Sequence, residues 1–217
     1  MQPYSFEIKN LPNEIPVFPL SGVLLLPGCR LPLNLFENRY LHMFDYALNK
    51  ERIIGMIQPL EKKNKEKSSN PDLHKIGCAG HLIAFNQTND NRYEIVLKGI
   101  KKFKLVKEKL SNKGFRMANI KWLDSSSISV TISKRNEFEK KLKLYLKKIN
   151  VPADWEAIEA SNDEDLINSV SMGCPFTNIE KQAILEANNL QDRLNVLTSL
   201  LEMSINNNEG LQSSSLS

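Results

Sequence analysis

Residues 15–49 read IPVFPLSGVLLLPGCRLPLNLFENRYLHMFDYALN. A proline-punctuated apolar run, Pro16–Leu20, leads through a turn-rich Gly-Pro patch into a second apolar strand, Leu31–Phe36, and then directly into a helix opening at Glu37–Tyr40. Prolines at 16, 19, 27 and 32 have no N–H to give to a sheet ladder, so the two strands are expected at an edge, a strand start or a bulge. The helix is predicted from about Asn38 to Lys50. Leu41, Phe44 and Leu48 form its buried stripe, with Tyr40 and Ala47 on its flanks.

Downstream, Ile53–Ile57 is a short, nearly all-apolar strand, the pattern of one covered on both faces. Glu61–Asp72 is charged, lacks apolar residues and reads as an exposed loop; its lysines are either solvated or a phosphate-contacting patch. The apolar run Ile76–Phe85 is interrupted by Gly77 and Gly80, which predicts a bulge or tight bend. A turn at residues 87–91 separates it from Tyr93–Leu97, which alternates at period two. Gly99 allows another bend before Phe103 and Leu105, a turn falls at Ser111–Gly114, and Phe115–Leu123 completes the series. Short strands joined by tight turns, with internal glycines, describe a coiled antiparallel sheet or small barrel. Ile128, Val130 and Ile132 alternate with Ser and Thr like one last short strand.

The period then changes. Phe138, Leu142, Tyr145 and Ile149 mark a helix with one apolar face, with Lys140, Lys143, Lys147 and Lys148 on the opposite arc. Pro152 ends it, and Trp155 and Ile158 belong to a short helical turn. Ser161–Glu164 has capping-box spacing before a helix bearing Leu166, Ile167 and Val170 that stops near Gly173–Pro175. Thr177–Glu180 repeats the capping logic for a helix through Ile184 and Leu185. Leu190, Leu194, Leu197, Leu201 and Ile205 define a last helix. The fold class is therefore α+β: a β-rich part at 1–133 with one early helix that plugs it, a helical bundle at 134–205, and a disordered tail at 206–217.

Bulk properties narrow the function classes. The chain has 217 residues, 41% hydrophobic and 25% charged, with a formal net charge of +4, a surplus too small to argue for a nucleic-acid or membrane ligand. Its three cysteines, Cys29, Cys78 and Cys174, are scattered, as buried thiols of a reducing compartment would be. The first residues do not form a signal peptide, and the most apolar window, Val23–Leu26, is too short to span a bilayer. A cytoplasmic chain without membrane contact is expected.

Catalytic constellations are missing from the sequence: neither a phosphate-cradling G-x-x-x-x-G-K-[ST] nor a dinucleotide fingerprint, a nucleophile elbow or a zinc-binding H-E-x-x-H occurs. Cys78-Ala-Gly-His81 lacks the second ligand pair that a closed zinc site requires, so no metal and no cofactor is expected. Glu37 and Arg39 sit at a strand-to-helix junction next to Tyr40. An arginine fork there suits an amide or carboxylate, and these three residues are the candidate polypeptide contact. An acid at a helix start and an arginine paired to it also have a purely structural use.

The order of these pieces resembles the N-terminal, substrate-binding domain of Lon proteases. The resemblance rests on Ile15–Leu20, Leu26-Pro-Gly28 and Leu31–Tyr40, continues through Met43 and Ile53–Ile57, and extends to Gly77–Gly80, Tyr93–Gly99 and Phe103. Lys102 stands where the family usually has arginine. The resemblance implies a PUA-like pseudo-barrel followed by a helical bundle, in a free-standing member without the ATPase and Ser-Lys protease domains. It further implies a non-enzymatic module that binds unfolded or tagged polypeptides as a recognition or adaptor part, with a protease as a possible partner. RNA binding is the alternative, because PUA-like barrels elsewhere bind RNA and Lys101, Lys102, Lys104, Lys107 and Lys109 cluster here. Those lysines alternate with apolar residues, as the wet face of a strand does, and aromatics for base stacking are few. A small-molecule pocket ranks third, with no residues to assign to it. Oligomeric state is not encoded in any pattern found.

Overall fold

The computed structural model describes residues 11–61, 70–90, 92–124 and 129–206. The chain divides into two compact units: one takes in the chain through Leu20 and Pro27–Leu123, the other Ser21–Leu26 and the chain from Asp124 onward.

Among its described residues the first unit contains six strands, β1 (Glu14–Pro19), β2 (Arg30–Leu35), β3 (Ile53–Ile57), β4 (Ile76–Gln87), β5 (Tyr93–Leu110) and β6 (Arg116–Trp122), and one helix, α1 (Asn38–Leu48). β5 pairs with β4 along one side and with β6 over its second half; β6 pairs with β1, β1 runs parallel to β3, and β3 pairs with β4. Five strands therefore close a ring, and β2 lies outside it, paired among the described residues to the first half of β5 alone. The expectation of edge strands holds for β2. β1 is not an edge, being hydrogen-bonded to a neighbour on each side; its Pro16 falls near the strand start, before pairing to β3 begins, and Pro19 is the strand's last residue.

Inward-facing residues of all five ring strands fill the barrel: Ile15, Val17, Ile53, Ile57, Ala79, Phe103, Leu105, Ala118 and Ile120, with Leu73. The ring of Phe103 is fully buried, and it fits because Gly55 and Gly77 leave their inward positions empty. The buried side chains of α1 are not among that cluster. Its rings instead pack on residues outside the cluster: Tyr40 on Phe18 (4.2 Å between centroids), Phe44 on Tyr93 (4.3 Å) and Phe85 (5.3 Å), and Tyr46 on Phe115 (5.5 Å). The buried face is Tyr40, Met43, Phe44 and Ala47; Leu41 and Leu48, predicted at its centre, lie at its margins. Both sets have helical spacing, and the aromatic contacts decide between them.

Bulges fall where glycines foretold one and also where none did. The β4–β5 register slips between Ala79 and Gly80, leaving Ile100 as the extra residue, and again between Leu82 and Ala84. β5 thus passes Gly99 as one continuous strand rather than breaking there. Pro59 bridges to Leu73 at the base of the charged loop, whose residues 62–69, like Asn91 of the predicted turn, lie outside the described residues.

The second unit holds α2 (Ile132–Lys148), α3 (Trp155–Ala160), α4 (Asp163–Gly173), α5 (Asn178–Glu186) and α6 (Leu190–Asn206). Ile132 opens α2 and Val130 is in no strand, so the expected last strand does not form; Ile128 lies outside the described residues. Phe138, Leu142 and Tyr145 are buried as predicted, whereas Ile149 is the exposed cap residue. α2 and α6 run in the same direction, joined by Thr131 to Gln191, Lys141 to Glu202 (2.5 Å) and Lys148 to Ser204. Lys148 accordingly leaves the solvated arc assigned to it: its Nζ donates to the carbonyls of Ser204 and Ile205 at the end of α6, where helix carbonyls lack partners. Thr177 and Glu180 form the predicted capping box. The other cap shifts by one residue. Asn162 caps α4 by accepting from Asp165 N, while Ser161 Oγ donates back to Ile158 O. Arg135 fastens this junction, donating to Asp163 (2.7 Å), to Glu139 and to the carbonyls of Ile158 and Ser161. Ser21–Leu26, read with the barrel part in the sequence, supplies Leu24, Leu25 and Leu26, all buried, and Lys181 Nζ holds Gly22 O at 2.5 Å. The tail after Asn206 lies outside the described residues.

Candidate functional site

Among the described residues of the barrel unit, β2 is where a strand edge is left without a partner strand. Its sequence, Arg-Leu-Pro-Leu-Asn-Leu, alternates so that Leu31 and Leu35 are buried and Arg30, Pro32 and Asn34 are exposed. Gly99 N donates to Cys29 O (2.8 Å), and Arg30 is opposite Lys98, Pro32 opposite Val96 and Asn34 opposite Glu94. In an antiparallel ladder, hydrogen-bonded and non-hydrogen-bonded pairs alternate. The Gly99–Cys29 bond fixes the phase: Leu31, Leu33 and Leu35 bond to β5. Arg30, Pro32 and Asn34 therefore turn their main-chain polar groups away from it, toward the free edge. Arg30 and Asn34 each present an N–H and a C=O there, and Pro32 a C=O alone.

Beside this edge the three-stranded ribbon β2–β5–β4 forms an open groove of about 540 Å³. Two rungs line it, Pro32–Val96–Ala84 and Asn34–Glu94–Asn86, with Leu33, Ile95 and Phe85 between them. The first rung is apolar. The second is an amide–carboxylate–amide row in which Asn86 Nδ2 is 3.5 Å from Glu94 Oε2. Phe85 is 49% exposed and Phe36, directly after β2, 62% exposed, with the Arg92 guanidinium over its ring at 5.7 Å.

Glu37, Arg39 and Tyr40 do come together. Arg39 Nη2 is 2.7 Å and Nε 2.9 Å from Glu37 Oε2, and the guanidinium lies 4.7 Å from the centroid of the Tyr40 ring. Tyr40 is buried against Phe18. Burial raises its hydroxyl pKa above the usual value, and the positive charge and hydrogen bond of Arg39 act in the opposite direction. The ion pair remains partly exposed, at 38% and 44% for the two side chains.

The lysines of β5 do not share one surface. Lys104, Lys107 and Lys109 are exposed, Lys109 pairs with Glu14 at 2.7 Å, and Lys102 is buried. Cys78 and His81 are both buried, and among the described residues no three His, Cys, Asp or Glu side chains gather as metal ligands would. No described helix is long and apolar enough to cross a membrane. The register also sets Arg30 against Lys98 and Asn34 against Glu94, pairs that the polar–apolar alternation around Pro32 marks in the sequence only on the β2 side.

The described residues of this unit thus form a closed barrel with one outlying strand and a largely apolar groove beside it. The chain belongs to the family of ATP-dependent protease La (LON) substrate-binding domains, which matches residues 14–203. It is 24% identical to the Lon protease of Flavobacterium johnsoniae over 192 residues, covering 85% of this chain and 23% of that protein. Against the Lon protease of Buchnera aphidicola subsp. Baizongia pistaciae it is 27% identical over 198 residues, covering 88% and 25%. The chain thus spans about a quarter of the length of the curated relatives it matches. In fold it resembles the crystal structure of a Lon N-terminal domain protein from Xanthomonas campestris, with a TM-score of 0.64, 18% identity, and 86% of this chain and 97% of that one covered. The N-terminal domain of the Mycobacterium avium complex Lon protease is similar at the same TM-score of 0.64, with 16% identity and coverages of 87% and 98%. The expected α+β fold, a barrel followed by helices, is the one these proteins share.

Proposed function

We propose that this protein is a non-enzymatic module that recognises extended polypeptide and works beside a cytoplasmic protease. The observation that carries the reading is the edge of β2 that no other described strand pairs with, its main-chain donors and acceptors next to a largely apolar groove. An extended chain repeats its own N–H and C=O groups at the spacing of a strand, so strand addition satisfies both partners. The driving force is otherwise unspecific, as suits a module that meets many unfolded sequences: main-chain bonds give affinity and the groove favours apolar side chains. Membership in a substrate-binding family supports the same reading.

Phe36 and the Glu37–Arg39–Tyr40 corner continue the chain directly from β2, and we assign them the end of the contact surface. The exposed Phe36 ring offers apolar area and the half-exposed ion pair a polar rim. The test is a titration of a labelled, permanently unfolded polypeptide followed by fluorescence anisotropy. Saturable binding, weakened by Phe36→Ser and Arg39→Ala, is the expected result. No saturation at high micromolar protein overturns the reading.

A further inference from the structure

The rungs of the β2–β5–β4 ribbon differ in charge, and this difference gives the guest a sequence. Arg30 and Lys98 are directly opposite each other, both exposed, in a non-hydrogen-bonded pair, where side chains lie closest. Like charges so placed repel and weaken a sheet. Among the described residues, neither forms an ion pair with a carboxylate. The next rung along the same face, Pro32–Val96–Ala84, is apolar, and the one after it carries Glu94 between two asparagines. A guest strand pairing with β2 puts a side chain beside each rung in turn.

We propose that the β2 edge selects extended segments, running antiparallel to β2, with a carboxylate at the Arg30–Lys98 rung and an apolar side chain two residues before it, beside Pro32. This deepens the polypeptide-recognition reading and rests on it. The carboxylate relieves the Arg30–Lys98 repulsion, the apolar side chain packs on the exposed Pro32 ring, and a long donor at the Asn34 rung reaches toward Glu94.

Pro32 argues for a guest of different sequence rather than a second copy of this chain. Pairing of two β2 edges about a twofold axis at Pro32 sets proline opposite proline, so carbonyl faces ring and both central hydrogen bonds are lost. An ordinary residue opposite Pro32 still donates its own N–H to the Pro32 carbonyl and forgoes a single bond. Proline on an exposed edge is a known bar to edge-to-edge association.

The test uses three labelled peptides of one apolar, β-prone sequence carrying Glu, Gln or Lys at the position following the apolar residue by two, which an antiparallel guest sets against Arg30. They are titrated into the wild type and into the Arg30→Glu/Lys98→Glu double variant, whose fold is checked by circular dichroism. The wild type is expected to bind the Glu peptide about two- to fivefold more tightly than the Lys peptide, as exposed charge pairs allow, with the preference shrinking in high salt. In the double variant the order is expected to reverse. Equal affinity for all three peptides overturns the charge selection while leaving polypeptide recognition standing. Absence of binding by every peptide and by the unfolded polypeptide overturns both.

Discussion

Gly77 lies so close to Phe103 that a Cβ placed on it would stand 2.4 Å from Phe103 Cζ and 2.6 Å from the carbonyl oxygen of Met56. The glycine is thus a packing requirement of the barrel, because the fully buried Phe103 ring occupies the space a side chain would take. Gly77→Ala is expected to destabilise the protein by about 1–3 kcal/mol, the usual cost of overpacking a filled core. Gly28→Ala, at φ 82° with nothing within 4 Å of the added carbon, should cost only about 1–2 kcal/mol of backbone strain. Urea unfolding of the two variants measures the difference.

His81 is buried on β4 between Ile53 and Lys98, and its imidazole is held below the usual pKa, first by burial and then by the nearby charge of Arg52. A depressed histidine pKa means that the unfolded chain takes up the proton first. Its contribution to stability is intact above the unfolded value near 6.5 and declines as pH falls from there toward the folded pKa. Chemical denaturation between neutral and mildly acid pH should therefore show a steeper loss in the wild type than in His81→Gln. Identical slopes would remove His81 from the acid response.

Cys174 is buried, and desolvation pushes its thiol up to about 11. The thiolate is the reacting species, so a thiol reagent at neutral pH should modify the partly exposed Cys29 first and leave Cys174 intact until the protein unfolds. Mass spectrometry after a short labelling pulse, with and without denaturant, distinguishes the sites.

Leu24, Leu25 and Leu26 belong to the helical unit although they lie between β1 and β2 in the chain. A fragment starting at Asp124 lacks these buried side chains, each of which would cost about 2–5 kcal/mol if truncated to alanine. Such a fragment is expected to melt without cooperativity, and grafting residues 21–26 onto it should restore a sharp transition in circular dichroism.

What could be read in the sequence follows from how local each signal is. Helical periodicity placed α2, α4, α5 and α6, and the Thr177–Glu180 box was legible because both partners lie in one turn. The closing of β5 onto β6, the inner position of β1 and the assignment of Leu24–Leu26 to the helices depend on distant partners, so no window of residues contains them. The candidate corner at Glu37, Arg39 and Tyr40 was visible as a charged break between strand and helix. The Arg30–Lys98 rung was not, because it is created by a register joining residues on different strands. Proline is compatible with an edge, a strand start or a bulge, and only the pairing tells these apart: it marks the edge at β2, whereas at β1 it falls before the β3 pairing begins and at the strand's end.

The claim that β2 receives an extended polypeptide is tested most directly by amide hydrogen exchange at single residues. In the protein alone, the N–H groups of Leu31, Leu33 and Leu35, bonded to β5, should exchange slowly, and those of Arg30 and Asn34, facing the free edge, quickly. Saturating unfolded polypeptide is predicted to slow Arg30 and Asn34 selectively. Binding that leaves the exchange of both amides unchanged would contradict the account.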